Sequence, residues 1–211
     1  MQLLDRLWRM FFGWMLLSDT KPLTRADLIY VPATGIRWGG TDLLSAGKET
    51  TRKAIELYLR GFAPILVFSH AYQAYWRLEM EPKLRMTDEA GISRHAIQHL
   101  TAESEGCTST ASELVRLCEI VRKRGAQKII VVSEEWHAIR VIKWIKVLMP
   151  GIEVESITVR VPWQAHSAHP RIKGLTTTDG IWQGWNLFWF IAVSIFPLLL
   201  RQQMSSAKNF S

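Results

Sequence analysis

The sequence predicts an α/β domain of Rossmann-like type over residues 25–165: an open, mainly parallel sheet flanked by helices. Three observations predict it. Short β-branched apolar runs alternate with longer stretches of helical periodicity. That alternation implies parallel strands joined by right-handed crossovers. Small and polar residues gather just after the apolar runs, on the side where such sheets bind ligands.

The first run is Asp27-Leu-Ile-Tyr-Val-Pro-Ala, which reads as a buried strand ending in a turn. Thr34-Gly-Ile-Arg-Trp-Gly-Gly follows as a glycine-bearing loop. A helical pattern begins at Thr50, with Ala54, Leu57 and Tyr58 on one face. Gly61 stands where a glycine just past a helix end belongs. Pro64 leads into Ile65-Leu-Val-Phe, a second strand that ends at Ser69-His70. Residues 71–90 mix charge with aromatics, and Glu79 to Ala90 reads as a helix broken near Pro82. Thr101 to Ser109 is a polar loop. Thr110 to Lys123 is helical, with Leu114, Leu117, Cys118 and Val121 on one face. Lys128-Ile-Ile-Val-Val is a third strand and ends at Ser133. Ala138 to Leu148 is helical, and Glu153 to Val159 is a candidate fourth strand. No internal repeat or low-complexity segment interrupts this order.

A length of 211 residues suits one domain of ordinary size. The net charge of +7 suits an anionic ligand or an anionic membrane surface. No basic stripe or known module points to nucleic acid. Arg122, Lys123 and Arg124 lie among acidic residues and read as a solvated helix face. The two cysteines, Cys107 and Cys118, have no zinc-type spacing and demand no disulfide. His166 and His169 form an HxxH pair in a loop, weak grounds for a metal site.

The ends differ from the middle. Residues 7–17 are apolar apart from Arg9, too short to span a bilayer and without a following cleavage site. Ile181 to Leu200 carries no charge over twenty residues, the length of a spanning helix. Trp182, Trp185 and Trp189 crowd one end of it and Arg201 closes the other. Gln183, Asn186 and Pro197 oppose spanning, and a buried docking helix is the rival reading. The expected organisation is an apolar N-terminal segment over 1–24, the α/β domain, a linker over 166–180, a membrane-associated helix over 181–200, and a tail.

Three places carry residues suited to chemistry. At Ser133-Glu-Glu-Trp-His137-Ala-Ile-Arg140 a strand gives way to a helix. His137 and Arg140, three apart, share a helical face. The imidazole can move a proton near neutral pH, and the guanidinium can grip phosphate or carboxylate. Helix-start N–H groups add attraction for an anion. Polar residues on the solvent-facing side of a helix explain the pattern equally well. Ser69-His70 precedes Glu79 and Glu81, where a carboxylate near a histidine could act as a base. A solvated loop is the plainer account. Thr110 with Glu113 fits an N-cap and a capping box, a sufficient structural reason for both. Thr34-Gly35 is too short for a dinucleotide fingerprint. Neither GxGxxG nor GxxxxGK[ST] occurs.

The order of these motifs resembles the YdcF/SanA/ElyC family, domain of unknown function 218. Asp27-Leu-Ile-Tyr-Val starts the match, with Gly35 in the loop. Arg52-Lys-Ala-Ile-Glu-Leu-Tyr58-Leu-Arg-Gly61-Phe-Ala-Pro64 is the nearest segment. Ser69 ends a strand, Glu79 stands twelve residues before Gly91, and Thr110 takes the threonine position. Val131-Val-Ser133, His137 and Arg140 take the last motif. The likeness spans about 130 residues. His70-Ala71 replaces the family's two glycines, and Ser112-Glu113 stands where it often has glutamate-asparagine.

The resemblance implies a bacterial envelope setting, in peptidoglycan or lipid-carrier pathways at the inner membrane, and a ligand such as S-adenosylmethionine or a nucleotide. The leading expectation is an enzyme-like domain acting at the membrane on a phosphate-bearing or nucleotide-like small molecule. Arg52, Arg140 and the helix start near His137 would hold the anion, with Gly35, Ser69, Thr110 and Ser133 lining the site. His137 and Glu79 would be acid and base. The rivals are a non-catalytic anion-binding module and a membrane-tethered structural protein. The cofactor and the side of the membrane stay open.

The uncharged run from Ile181 to Leu200 yields a direct test. The full chain is expected to partition with detergent or lipid, and a chain ending near Gly174 to stay in the aqueous phase. Phase separation of both checks this; an aqueous, monomeric full chain makes the run a docking helix instead.

Overall fold

The computed structural model describes residues 22–33, 43, 45–70, 76–100, 107 and 110–159. Five strands and four α-helices follow one another. They are β1 (Leu28–Val31), α1 (Ser45–Leu59), β2 (Leu66–Phe68), α2 (Glu81–Glu89), β3 (Ile97–His99), α3 (Thr110–Arg124), β4 (Lys128–Glu134), α4 (Glu135–Leu148) and β5 (Glu153–Val159). A single π turn, Trp76–Met80, runs into α2, and a 3-10 turn, Arg94–Ala96, precedes β3.

The strands lie in the order β3-β2-β1-β4-β5, and every neighbouring pair is parallel. Ile29 pairs with Leu66 on one side and Ile130 on the other. The three expected central strands are therefore adjacent and parallel, and Glu153–Val159 is a strand as read. The chain starts at the sheet centre, moves outward through β2 and β3, crosses back over α3, and moves outward again through β4 and β5. The direction reverses between β1 and β4, so a ligand crevice belongs beyond their carboxyl ends.

Strand alternation sends side chains to two cores. Leu28, Tyr30, Ile129 and Val131 meet Leu114, Leu117 and Cys118 of α3 and Val141, Trp144 and Ile145 of α4. Ile29, Val31, Leu66, Phe68, Ile130 and Val132 meet Ala54, Ile55 and Leu57 of α1 with Met80 and Leu84. With helices on both faces, the central strands read as unbroken apolar runs.

Several boundaries differ from expectation. Helix α1 begins at Ser45, not Thr50. Thr50 and Thr51 are fully buried, and their hydroxyls donate to the Ala46 and Gly47 carbonyls at 2.9 and 2.7 Å. That back-bonding hides two polar residues inside a helix. Pro82 does not break its helix but sits in its first turn, where a missing N–H costs nothing. Helix α4 starts at Glu135, directly from β4. Strand β3 went unread because three half-buried residues carry no periodic signal. Gly61 ends α1 as expected: its φ is 77°, its N–H donates to Tyr58 and the next N–H to Leu57.

Asp27 ties the sheet at its amino ends, accepting from the Gln127 and Lys128 N–H groups at 2.7 and 2.9 Å. The apolar N-terminal segment, the 166–180 linker, His166, His169 and the 181–200 run lie outside the described residues. Among the described residues no helix is long and apolar enough to cross a membrane.

Leu114 is wholly buried between α3 and the sheet. Leu114→Ala is expected to cost about 2–5 kcal/mol, the range for a large-to-small core change. Denaturant unfolding checks this, with the midpoint falling and the slope unchanged.

Candidate functional site

Tyr30 lies within β1 and is fully buried. By strand alternation it faces α3. There its hydroxyl donates to Glu113 Oε1 at 2.6 Å, and the Ala33 N–H donates to the same oxygen at 2.7 Å. Glu113 is itself only 2% exposed. Burial pushes its carboxyl above the usual range, and the Tyr30 and Ala33 donors offset part of that. Burial, then the Glu113 charge, pushes the Tyr30 hydroxyl well up. The capping-box reading of Glu113 is thus corrected. Its carboxylate reaches across to β1 rather than back to the start of its own helix. The sequence held a signal for this, since Glu113, Leu117 and Val121 recur every four residues on the buried stripe of α3.

A second buried pair approaches the end of β2. Glu79 and Lys83 are one helical turn apart, both fully buried. Lys83 Nζ lies 2.9 Å from Glu79 Oε1 and donates to the Ser69 carbonyl at 2.7 Å. Lys83 escaped the sequence reading because its segment looked like solvated charge. The spacing of Glu79, Lys83 and Thr87, all fully buried, marks one inward face. Ser69 is buried too, and its hydroxyl lies against the Glu113 carboxyl and the Cys107 thiol. No hydrogen bond of ordinary geometry reaches that hydroxyl oxygen among the described residues. Burial pushes the Cys107 thiol up to about 12, which leaves it protonated and unreactive.

The third part is the passage from β4 into α4. Ser133 is fully buried, on the sheet face toward α3 and α4. Glu134 Oε2 accepts from the His137 N–H at 3.0 Å and so satisfies a first-turn donor of α4. His137 is buried. Arg140 follows on the next turn and is only partly exposed. Its Nε is shielded from solvent and has no hydrogen-bond partner among the described residues. Burial draws the guanidinium down to about 10, opposed by the charges of Glu113 and Glu134.

These groups form one chain of electrostatic neighbours. Glu79 acts on Glu113, Glu113 on Arg140, and Arg140 on Glu134, whose carboxylate holds the start of α4 at His137. The chain covers the carboxyl ends of β2, β1 and β4. Glu79 and Lys83 belong to the π turn and α2, next to the core that α1 shares; Glu113 and Arg140 come from helices on the other face. Ser69 directly follows β2, Ser133 lies near the end of β4, His137 and Arg140 stand in the first turns of α4, and Glu79 belongs to the π turn before α2. Thr110 opens α3, half-buried.

Arg52 does not join them. It sits on the exposed side of α1, its side chain 63% accessible and ion-paired with Glu49 one turn earlier. Helix α1 packs on the sheet face opposite α3 and α4. The pairing of the two arginines is corrected accordingly: Arg140 faces the buried carboxylates and Arg52 faces solvent. Gly35 lies outside the described residues.

Fold and site together define a Rossmann-like α/β domain with a buried, charged cluster at its topological switch point. Comparison with known proteins finds no matching family model and no matching curated protein. Among the described residues no group of three or more histidine, cysteine or acidic side chains is placed to hold a metal ion.

The Glu79–Lys83 pair has a measurable consequence. Lys83→Met strips a buried carboxylate of its cation and is expected to destabilise the fold by about 3–5 kcal/mol. Adding Glu79→Gln to that variant is expected to recover much of the loss. Chemical denaturation of both variants checks this, and equal destabilisation would show that the two charges act independently.

Proposed function

We propose that this domain binds a phosphate-bearing or nucleotide-like small molecule at the carboxyl ends of β1 and β4, with Arg140 as its cationic grip. One observation carries the reading. Arg140 holds a shielded guanidinium nitrogen with no acceptor among the described residues, beside a helix start and at the switch point of the sheet. A buried donor left without a partner is costly, and an oxyanion ligand is a natural acceptor. The buried cation Lys83, by contrast, is bonded to both Glu79 and the Ser69 carbonyl.

Within this reading His137 is the group that moves a proton, because imidazole does so near neutral pH. Glu79 serves as a positioning residue: its carboxylate is taken by Lys83, which in turn holds the backbone after β2. Arg52, exposed and paired with Glu49 on the opposite face of the sheet, takes no part. The setting is the bacterial inner-membrane surface, in envelope lipid-carrier or peptidoglycan metabolism. The net charge of +7 and the uncharged run at 181–200 favour it. A non-catalytic anion-binding module is the second reading, favoured by how much of the cluster is spent on holding secondary structure together.

Metabolite profiling of the purified full chain identifies the ligand, with S-adenosylmethionine and nucleotides as first probes. Arg140→Ala is then expected to weaken binding by about 10- to 150-fold, from roughly 1.5–3 kcal/mol for hydrogen bonds to a charged group. His137→Ala is expected to bind normally and lose turnover if the domain is an enzyme. Unchanged affinity in Arg140→Ala rejects the proposed grip.

A further inference from the structure

We propose that Glu113 is the proton-carrying carboxyl of this site, holding its proton in the ligand-free protein and sharing it with an oxyanion held at Arg140. The inference rests on the anion-binding reading of Arg140 and adds the group that balances the ligand's charge.

The geometry comes first. Among the described residues the two hydrogen bonds of ordinary geometry to the Glu113 carboxyl, from the Tyr30 hydroxyl and the Ala33 N–H, both end on Oε1. A carboxylic acid meets that pattern, its carbonyl oxygen accepting while its other oxygen carries the proton, although the same donors also favour the ionised form and so work against burial. Around this carboxyl stand Tyr30 from β1, Ser69 after β2, Glu79 from the π turn, Cys107, and Arg140 from α4. Tyr30 and Cys107 are themselves held neutral by burial.

The charges then decide between the two buried carboxyls. Glu79 and Glu113 are electrostatic neighbours, and two carboxylates in one desolvated space ionise together only at high cost. Lys83 is bound to Glu79, so the nearby cation is taken by Glu79 and not by Glu113. Glu113 has no bonded cation among the described residues: the Tyr30 and Ala33 donors and the charge of Arg140 favour its ionised form, and burial opposes it more strongly than any of them. An oxyanion on Arg140 removes that support and adds a like charge nearby. The bound state therefore favours the protonated form of Glu113. Its proton becomes a donor available to the ligand, beside the Arg140 guanidinium. The sign follows: affinity is full at pH values where Glu113 is protonated and falls as pH rises through its folded-state titration.

Two measurements on the full chain test this. Infrared spectra at neutral pH are expected to show a protonated-carboxyl band that disappears in Glu113→Gln and persists in Glu79→Gln. Absence of the band, or its loss in Glu79→Gln alone, overturns the assignment. Sulfate, which does not titrate in this range, is the binding probe. Its affinity for the natural sequence is expected to fall by up to about tenfold per pH unit above the Glu113 titration, the limit for one linked proton. Glu113→Gln keeps the hydrogen-bonding shape and is expected to lose that slope, while any dependence on His137 persists. An unchanged slope in Glu113→Gln overturns the coupling. A Glu113 band without any sulfate binding means that the anion-grip reading has failed while the proton assignment holds.

Discussion

The Glu113 carboxyl joins the two halves of the sheet's central crossing. Helix α3 is the connection that carries the chain from the β3 edge back across β1 to β4. Its first turn is fixed to β1 and the residues just after it by Tyr30 and Ala33 meeting one oxygen. Move that turn, and Leu114 and Leu117 shift against Tyr30 and Val131 in the shared core. Helix α4 packs beside α3 against the same core, so the placement of Arg140 inherits the placement of Glu113. A polar contact of this kind adds little net stability on its own but is expensive to break, because a buried donor or carboxyl is then left unsatisfied.

The same asymmetry bears on Glu79 and Lys83. A fully buried ion pair is weak grounds for stability, since apolar residues of similar volume often serve as well. Lys83 nonetheless does two things an apolar side chain cannot. It neutralises Glu79, and it donates to the carbonyl of Ser69 just beyond β2. The backbone at the strand end is thereby held by a cation, close to the place where an anionic ligand would sit. That arrangement makes sense at a binding site, and less so as a support for the core.

Much of the framework was legible because it is local. Buried strands read as apolar runs, helix faces as four-residue spacing, and Gly61 as a helix stop. What was not legible depends on distant partners. Glu113 looked like a capping residue because its nearest chemical rationale lay three residues back at Thr110, while its actual partners are Tyr30 on β1 and Ala33 just beyond it. Pro82 looked like a breaker because proline inside a helix is one, and only the preceding π turn shows that it stands at a start. Lys83 looked solvated because charge usually is. Strand β3 was too short to leave a pattern and exists because Leu66 to Phe68 offer it an edge.

The two arginines show where sequence pattern stops and charge geometry takes over. Both stand on helices that follow the strands, and both looked equally able to hold an anion. Arg52 has a carboxylate one turn away on its own helix and water on its other side. Its pairing is satisfied, and in high dielectric a further anion gains little from it. Arg140 has no carboxylate at that range on α4. Its electrostatic partners are Glu113 on another helix and Glu134 at the end of β4, neither bonded to its shielded Nε. Desolvation raises the cost of its charge and, in the same measure, the attraction it exerts on any anion that reaches it. Under the proposed reading an oxyanion would find its grip in what Arg140 lacks among the described residues, a bonded counter-charge: Glu113 is taken by Tyr30 and Ala33, and Glu134 by the start of α4.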